Sequence, residues 1–131
     1  MEKIGAMNVD AFLNGYVECA LWSSTDESNE AGGEPFDANY SNEDVAPETL
    51  ARMREDCVDF IRANYADLIE ATVRDDYSDG RAGHDFWLTR NHHGAGYWDR
   101  GLGDVGERLT RASHAYGECD LYLGDDKLIH A

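Results

Sequence analysis

The chain has 131 residues, 42% of them apolar, which suits one domain with a single core and is too apolar for a wholly disordered chain. Its 27 acids against 11 bases leave a formal charge of −16, which argues against nonspecific attraction to nucleic acid or to an anionic membrane, since both are polyanions. No window approaches the roughly 18 consecutive apolar residues of a membrane span, and residues 1–7 lack the basic start and apolar run of a secretory leader.

The hydrophobic spacing and turn residues predict a mainly α (α+β) fold of three to four helices with a C-terminal β-hairpin, all in one domain over residues 1–131. The first helix is capped by Asn8 or Asp10. Val9, Phe12, Leu13, Tyr16, Val17, Ala20 and Leu21 then recur at helical spacing until Ser23–Thr25. Residues 24–46 read as a long acidic loop with Gly32-Gly33 and Glu34-Pro35, pinned by Phe36 and Tyr40. In it, Ser41 and Asp44 have the spacing of a capping box. A second helix starts at Pro47 and carries Leu50, Met53, Cys57, Phe60, Ile61, Asn64 and Leu68 on one stripe toward Ala71, with a break expected near Asn64. After a turn at 75–80, a shorter helix spans 81–91. A glycine-rich irregular stretch covers 92–103, and a fourth helix runs from Gly103 to Tyr116, with Gly117 suited to the left-handed position after it. The alternation of Cys119, Leu121 and Leu123 with Asp120 and Tyr122, then Gly124 to Lys127, predicts a hairpin over 119–130 that must lie on the helices to persist.

Charge is unevenly placed. Residues 1–79 hold 19 acids and 5 bases, whereas residues 80–131 hold 8 acids and 6 bases. Residues 24–46 contain seven acids and no base. Such crowding costs stability through self-repulsion. It suits either solubility in a salt-rich cytoplasm or an anionic surface aimed at a basic partner. Cys19, Cys57 and Cys119 are far apart and form no CxxC, so reduced, mostly buried thiols in a cytoplasm are expected.

Three motifs bear on chemistry. Gly101-Leu-Gly103-Asp-Val-Gly106 matches GxGxxG, but the N-terminal half supplies helices where a dinucleotide fold needs parallel strands, and Asp104 would repel a pyrophosphate at the helix start. Glycine turns are the better reading. Asp75-x-Tyr77-x-Asp79-Gly80 lacks the carboxylates that a calcium loop needs at its third and twelfth positions, taken by Tyr77 and Phe86. The stretch from Gly83 to Gly101 is densest in reactive side chains. It reads first as a structural hub, in which Arg90 and Arg100 pair with Asp85 and Asp99, His84 or His93 bonds backbone, and Trp87 and Trp98 fill the core. The alternative is a metal-dependent hydrolase or nuclease using His84, Asp85, His93 and Asp99.

The stretches Ala20-Leu-Trp-Ser-Ser-Thr25, Asn39-Tyr-Ser41, Ala46-Pro-Glu-Thr-Leu50, Gly83-His-Asp-Phe-Trp-Leu-Thr-Arg-Asn91, Gly94-Ala-Gly-Tyr-Trp-Asp-Arg-Gly101 and Asp120-Leu-Tyr-Leu-Gly-Asp-Asp126 resemble a family of small acidic proteins of unknown function from tailed phages, prophages and mobile elements. The resemblance covers most of residues 10–126. It implies a phage accessory protein in a bacterial cytoplasm. His92 stands where the pattern leads one to expect glycine or another small residue.

Charge and context together favour an acidic inhibitor. It would be a nucleic-acid mimic that binds a basic nucleic-acid-binding surface of a host defence complex, such as a CRISPR effector or a restriction enzyme, without contacting nucleic acid or membrane itself. The expected contacts are Glu30, Glu34, Asp37, Glu43, Asp44, Glu55, Asp56 and Asp59, with Asp75, Asp76 and Asp79. No catalytic residue, metal or cofactor belongs to this reading. A structural or regulatory phage protein, acidic only for solubility, is the remaining alternative.

Overall fold

The computed structural model describes residues 2–26, 34–74, 76–93 and 96–131. In chain order it holds β1 (Lys3–Ile4), β2 (Met7–Asn8), α1 (Val9–Ser23), β3 (Thr25–Asp26), β4 (Glu34–Pro35), α2 (Pro47–Ala63) and α3 (Tyr65–Thr72). These are followed by α4 (Asp79–Arg90), α5 (Asp104–His114), β5 (Tyr122–Leu123) and β6 (Ile129–His130). Single 3-10 turns occupy Phe36–Ala38, Asn42–Asp44 and Tyr97–Asp99. No helix is long and apolar enough to cross a membrane among the described residues.

Helix α1 is the spine. Asn8 caps it by accepting from the Ala11 amide at 3.0 Å. Its buried residues include not only the expected stripe but also Cys19, so it is covered on more than one side. Its main partner is α4, and the two backbones touch. A Cβ on Gly15 would fall 1.9 Å from the Gly80 carbonyl oxygen, and one on Gly83 would fall 1.9 Å from that of Phe12. Only glycine permits this approach.

Pro47 opens α2 at the first helical position, as the sequence implies. The expected break does fall at Asn64, whose φ of −124° and ψ of 26° leave the helical region. Its side-chain amide donates to the Phe60 carbonyl at 3.0 Å. The chain restarts as α3, so the helices number five, not the three to four expected.

Aromatic rings fill the space between α1, α2 and α4. Phe60 and Phe86 stack at 4.1 Å between centroids, with Phe12, Tyr16, Tyr97 and Tyr116 around them. Trp87 is buried and donates its indole N–H to Ser23 Oγ at 2.8 Å. Trp98, expected in the core, is instead exposed over 56% of its surface. It lies on the Tyr97–Asp99 turn, where only Tyr97 points inward, its hydroxyl donating to the Ala82 carbonyl at 2.6 Å.

The C-terminal hairpin is present, with Tyr122 opposite His130 and Leu123 opposite Ile129. It docks by a parallel bridge between Ile129 and Val45, and the Ala46 amide donates to the Ile129 carbonyl at 2.9 Å. The β1–β2 pair is a further hairpin. The region read as a loop over 24–46 contains the antiparallel pair β3–β4. Strands of two residues carry no periodicity for a sequence to display.

The GxGxxG stretch is made of turns. The residues before Gly101 form a 3-10 turn, Gly101 and Gly103 adopt φ of +67° and +64°, and Gly106 packs under the Tyr97 carbonyl. With no strand leading into it among the described residues, the dinucleotide reading has no structural frame.

Two ion-pair hubs and an anionic groove

Asp85 is wholly buried on α4. Arg100 grips it with both prongs, Nε to Oδ2 at 3.0 Å and Nη2 to Oδ1 at 2.9 Å. The Tyr77 hydroxyl donates to Oδ2 at 2.6 Å, and His84 Nδ1 lies 3.3 Å from Oδ1. Burial alone would raise the Asp85 pKa. The hydrogen bonds from His84, Arg100 and Tyr77, with the charge of Arg100, outweigh it and hold the carboxyl below its ordinary value.

Arg90 makes the second hub. It donates to the Gly117 carbonyl at 2.9 Å, the Tyr116 carbonyl at 3.0 Å, Tyr16 Oη at 3.0 Å and Asp56 Oδ2 at 2.9 Å. One guanidinium thereby joins α4 to α1, α2 and the end of α5. The expected hub exists in part: one of the acids expected for it is used and the other is replaced by Asp56. Arg100 takes Asp85, Arg90 takes Asp56, and Asp99 is exposed. Spacing on α4 hides this, because Asp85 and Arg90 are five residues apart and face different neighbours.

Nine of the eleven acids proposed from sequence lie among the described residues, in differing surroundings. Glu30 and Asp75 lie outside the described residues, and Glu34 falls in β4. Asp44 accepts from the Ser41 amide at 2.8 Å and completes the capping box. Asp79 accepts from the Asn8 amide at 2.9 Å, tying the start of α4 to that of α1. Asp56 neutralises Arg90, and Asp59 accepts from the Tyr116 hydroxyl. These four have structural partners. Asp37, Glu43, Glu55 and Asp76 are exposed. The flank of α2 is also less anionic than its acids suggest, since Arg54 and Arg62 line the same shallow trough as Glu55 and Asp59.

A different place gathers acid without base. A groove of about 750 Å³ runs between α1 and the two 3-10 turns that follow β4. Glu18, Cys19, Leu21 and Trp22 line one side; Asp37, Tyr40, Ser41, Asn42 and Glu43 line the other; and His84 closes an end. No lysine or arginine is among these residues. Glu18 and Trp22 are one helical turn apart and share a face. Trp22 keeps 58% of its surface exposed, and its ring lies 6.2 Å from the His84 ring at 30°. Cys19 is buried, and burial, helped by the charge of Asp85, pushes its thiol up to about 12, so it is neutral and unreactive.

The turn segment is pinned by the means that the sequence suggests. Phe36 is buried, packs tilted against Tyr40 with ring centroids 6.1 Å apart, and donates its amide to the Ser24 carbonyl at 3.0 Å. An adjoining trough of about 550 Å³ shares Glu18 and His84 and adds Asn14, Ser78 and Arg81, over the glycine contact of α1 and α4. The sequence reading found Asp37 and Glu43 but missed Glu18 and Trp22. An exposed tryptophan ending the polar row of Asp10, Asn14 and Glu18 on α1 is the signal available.

The hydrolase set is not assembled. His84 and Asp85 touch, but His93 is beyond the other end of α4 beside Ser23, Trp87 and Asp120. Among the described residues no three histidine, cysteine or acidic side chains converge to hold a metal ion. Cys19, Cys57 and Cys119 are free thiols, the first two buried. Comparisons of the chain with family models, curated proteins and solved structures find no match.

Proposed function

We propose that this chain is an acidic inhibitor of phage type. It occupies the basic, nucleic-acid-binding surface of a host defence complex, a CRISPR effector or a restriction enzyme, and stands in for the nucleic acid. The reading is carried by the groove, where Glu18, Asp37 and Glu43 stand beside an exposed indole with no lysine or arginine in the lining. Carboxylates on a pinned frame suit lysines and arginines that otherwise hold phosphate, and attraction of this kind speeds encounter and weakens with salt. Four of the nine arginines are engaged elsewhere, while Arg81 lines the adjoining trough that shares Glu18. Arg54 binds Glu2, Arg108 binds Asp67, and Arg90 and Arg100 serve the hubs.

The test is a tagged pull-down from bacterial host cells at low and high salt. The expected partner is a nucleic-acid-binding complex that is released by salt and displaced by added DNA or RNA. A partner that is held equally by the Glu18→Gln/Asp37→Asn/Glu43→Gln variant and ignores nucleic acid overturns the proposal.

A further inference from the structure

We propose that the groove between α1 and the 36–44 turns receives an arginine side chain of the partner protein. The inference rests on the reading of the chain as an acidic binder and names what that binder recognises. Three features select the occupant. The carboxylates of Glu18, Asp37 and Glu43 demand a cation. The open indole face of Trp22 demands a flat or weakly hydrated one, because a guanidinium stacks on an aromatic ring and still presents its edge N–H groups. An ammonium is a compact, strongly hydrated charge and gains less from such a face. The hydroxyl-bearing and amide side chains of Tyr40, Ser41 and Asn42 add acceptors along the same wall. His84 stacks offset toward one face of Trp22 and is itself fixed by Asp85, so the indole is preorganised with its other face free among the described residues.

The groove is open and meets the α1–α4 trough at Glu18 and His84, which suits a side chain presented by a larger body over an enclosed metabolite. The cationic surfaces that hold nucleic acid are rich in arginine. One inserted arginine would set the register of the complex, and the surrounding acids would steer its approach.

The full chain carrying Trp98→Phe, which removes the other exposed indole, is titrated with a short glycine-spaced diarginine peptide. Its dilysine counterpart and spermidine serve as comparisons, with tryptophan emission and calorimetry as readouts. The diarginine peptide should bind roughly two- to thirty-fold more tightly than the dilysine peptide, the range of a cation–π contact. Trp22→Ala should erase that preference. Glu18→Gln/Asp37→Asn/Glu43→Gln should weaken both peptides by about ten-fold at low salt. Equal binding of the two peptides, a preference that survives Trp22→Ala, or spermidine binding as tightly as diarginine would each overturn the inference. So would a dimer in sedimentation that Trp22→Ala dissolves. Equal peptide binding leaves the acidic-inhibitor reading standing. Failure of the pull-down alongside intact arginine preference removes that reading and spares the site.

Discussion

Asp85 and Glu18 belong to neighbouring helices, with His84 between them in space: it touches the first and shares a groove with the second. Asp85 has no exposed surface and four hydrogen-bonding contacts, whereas Glu18 faces water in a groove without a base. The same contrast separates Asp56, held by the buried Arg90, from Glu43, on the outer turn. A net charge of −16 therefore conceals two populations of carboxylate. One fixes how the helices pack. The other is left at a cost in self-repulsion that the fold itself does not repay, which is the physical reason to assign it to a partner.

Cutting the buried population should give the largest effect. Arg100→Ala strands the Asp85 charge, and urea unfolding should register a loss of about 3–5 kcal/mol. A loss under about 1 kcal/mol would erase the distinction between the two populations. Acid titration sharpens the same point. Because the folded Asp85 pKa lies below its ordinary value, its stabilisation is complete above the unfolded value near about 4 and declines as pH falls through the folded value. Asp85→Asn should therefore be less stable at neutral pH and flatter in its acid limb than the parent chain.

Asp56→Ala should cost less, about 1–2 kcal/mol in the same assay, because Arg90 retains Tyr16 and two carbonyls. Next comes a gain. The end of α4 is a Schellman turn, with His92 donating to Thr89 at 3.1 Å and His93 to Leu88 at 2.9 Å, and His92 sits at φ +57°. His92→Gly should raise the melting midpoint, by about 0.5–1 kcal/mol of stability, since glycine adopts that region without a Cβ clash. Smallest of all, Glu18→Gln/Asp37→Asn/Glu43→Gln should stay within about 0.5 kcal/mol of the parent in urea while losing its partner. A substantial destabilisation there would mean that these acids also serve the fold.

Much of the frame was legible because it is written in period and punctuation. The α1 stripe, Pro47, the break at Asn64, Gly117 at φ +75° and the terminal hairpin all follow from local rules. His92 is instructive, since its φ of +57° is a conformation that favours glycine, a requirement the local sequence does not display. The pairing of charges was not legible. Which arginine meets which aspartate is decided by how helices distant in sequence lie against each other, as Arg90 and Asp56 show across α4 and α2. The groove was half legible for the same reason. Its acids on the turns stood out in a base-free stretch, but Glu18 and Trp22 gain meaning only when α1 is laid beside that stretch.

The bare contact of Gly15 with Gly80 and of Gly83 with Phe12 has a consequence for how such a molecule changes over generations. It fixes the spacing of the two rods that carry Glu18 and His84 from the floor of the adjoining trough. A single methyl added at position 15 or 83 would wedge the rods apart and reshape the mouth above while every residue lining it stayed the same. Selectivity could then drift, or be engineered, through the hinge pin and not the lock.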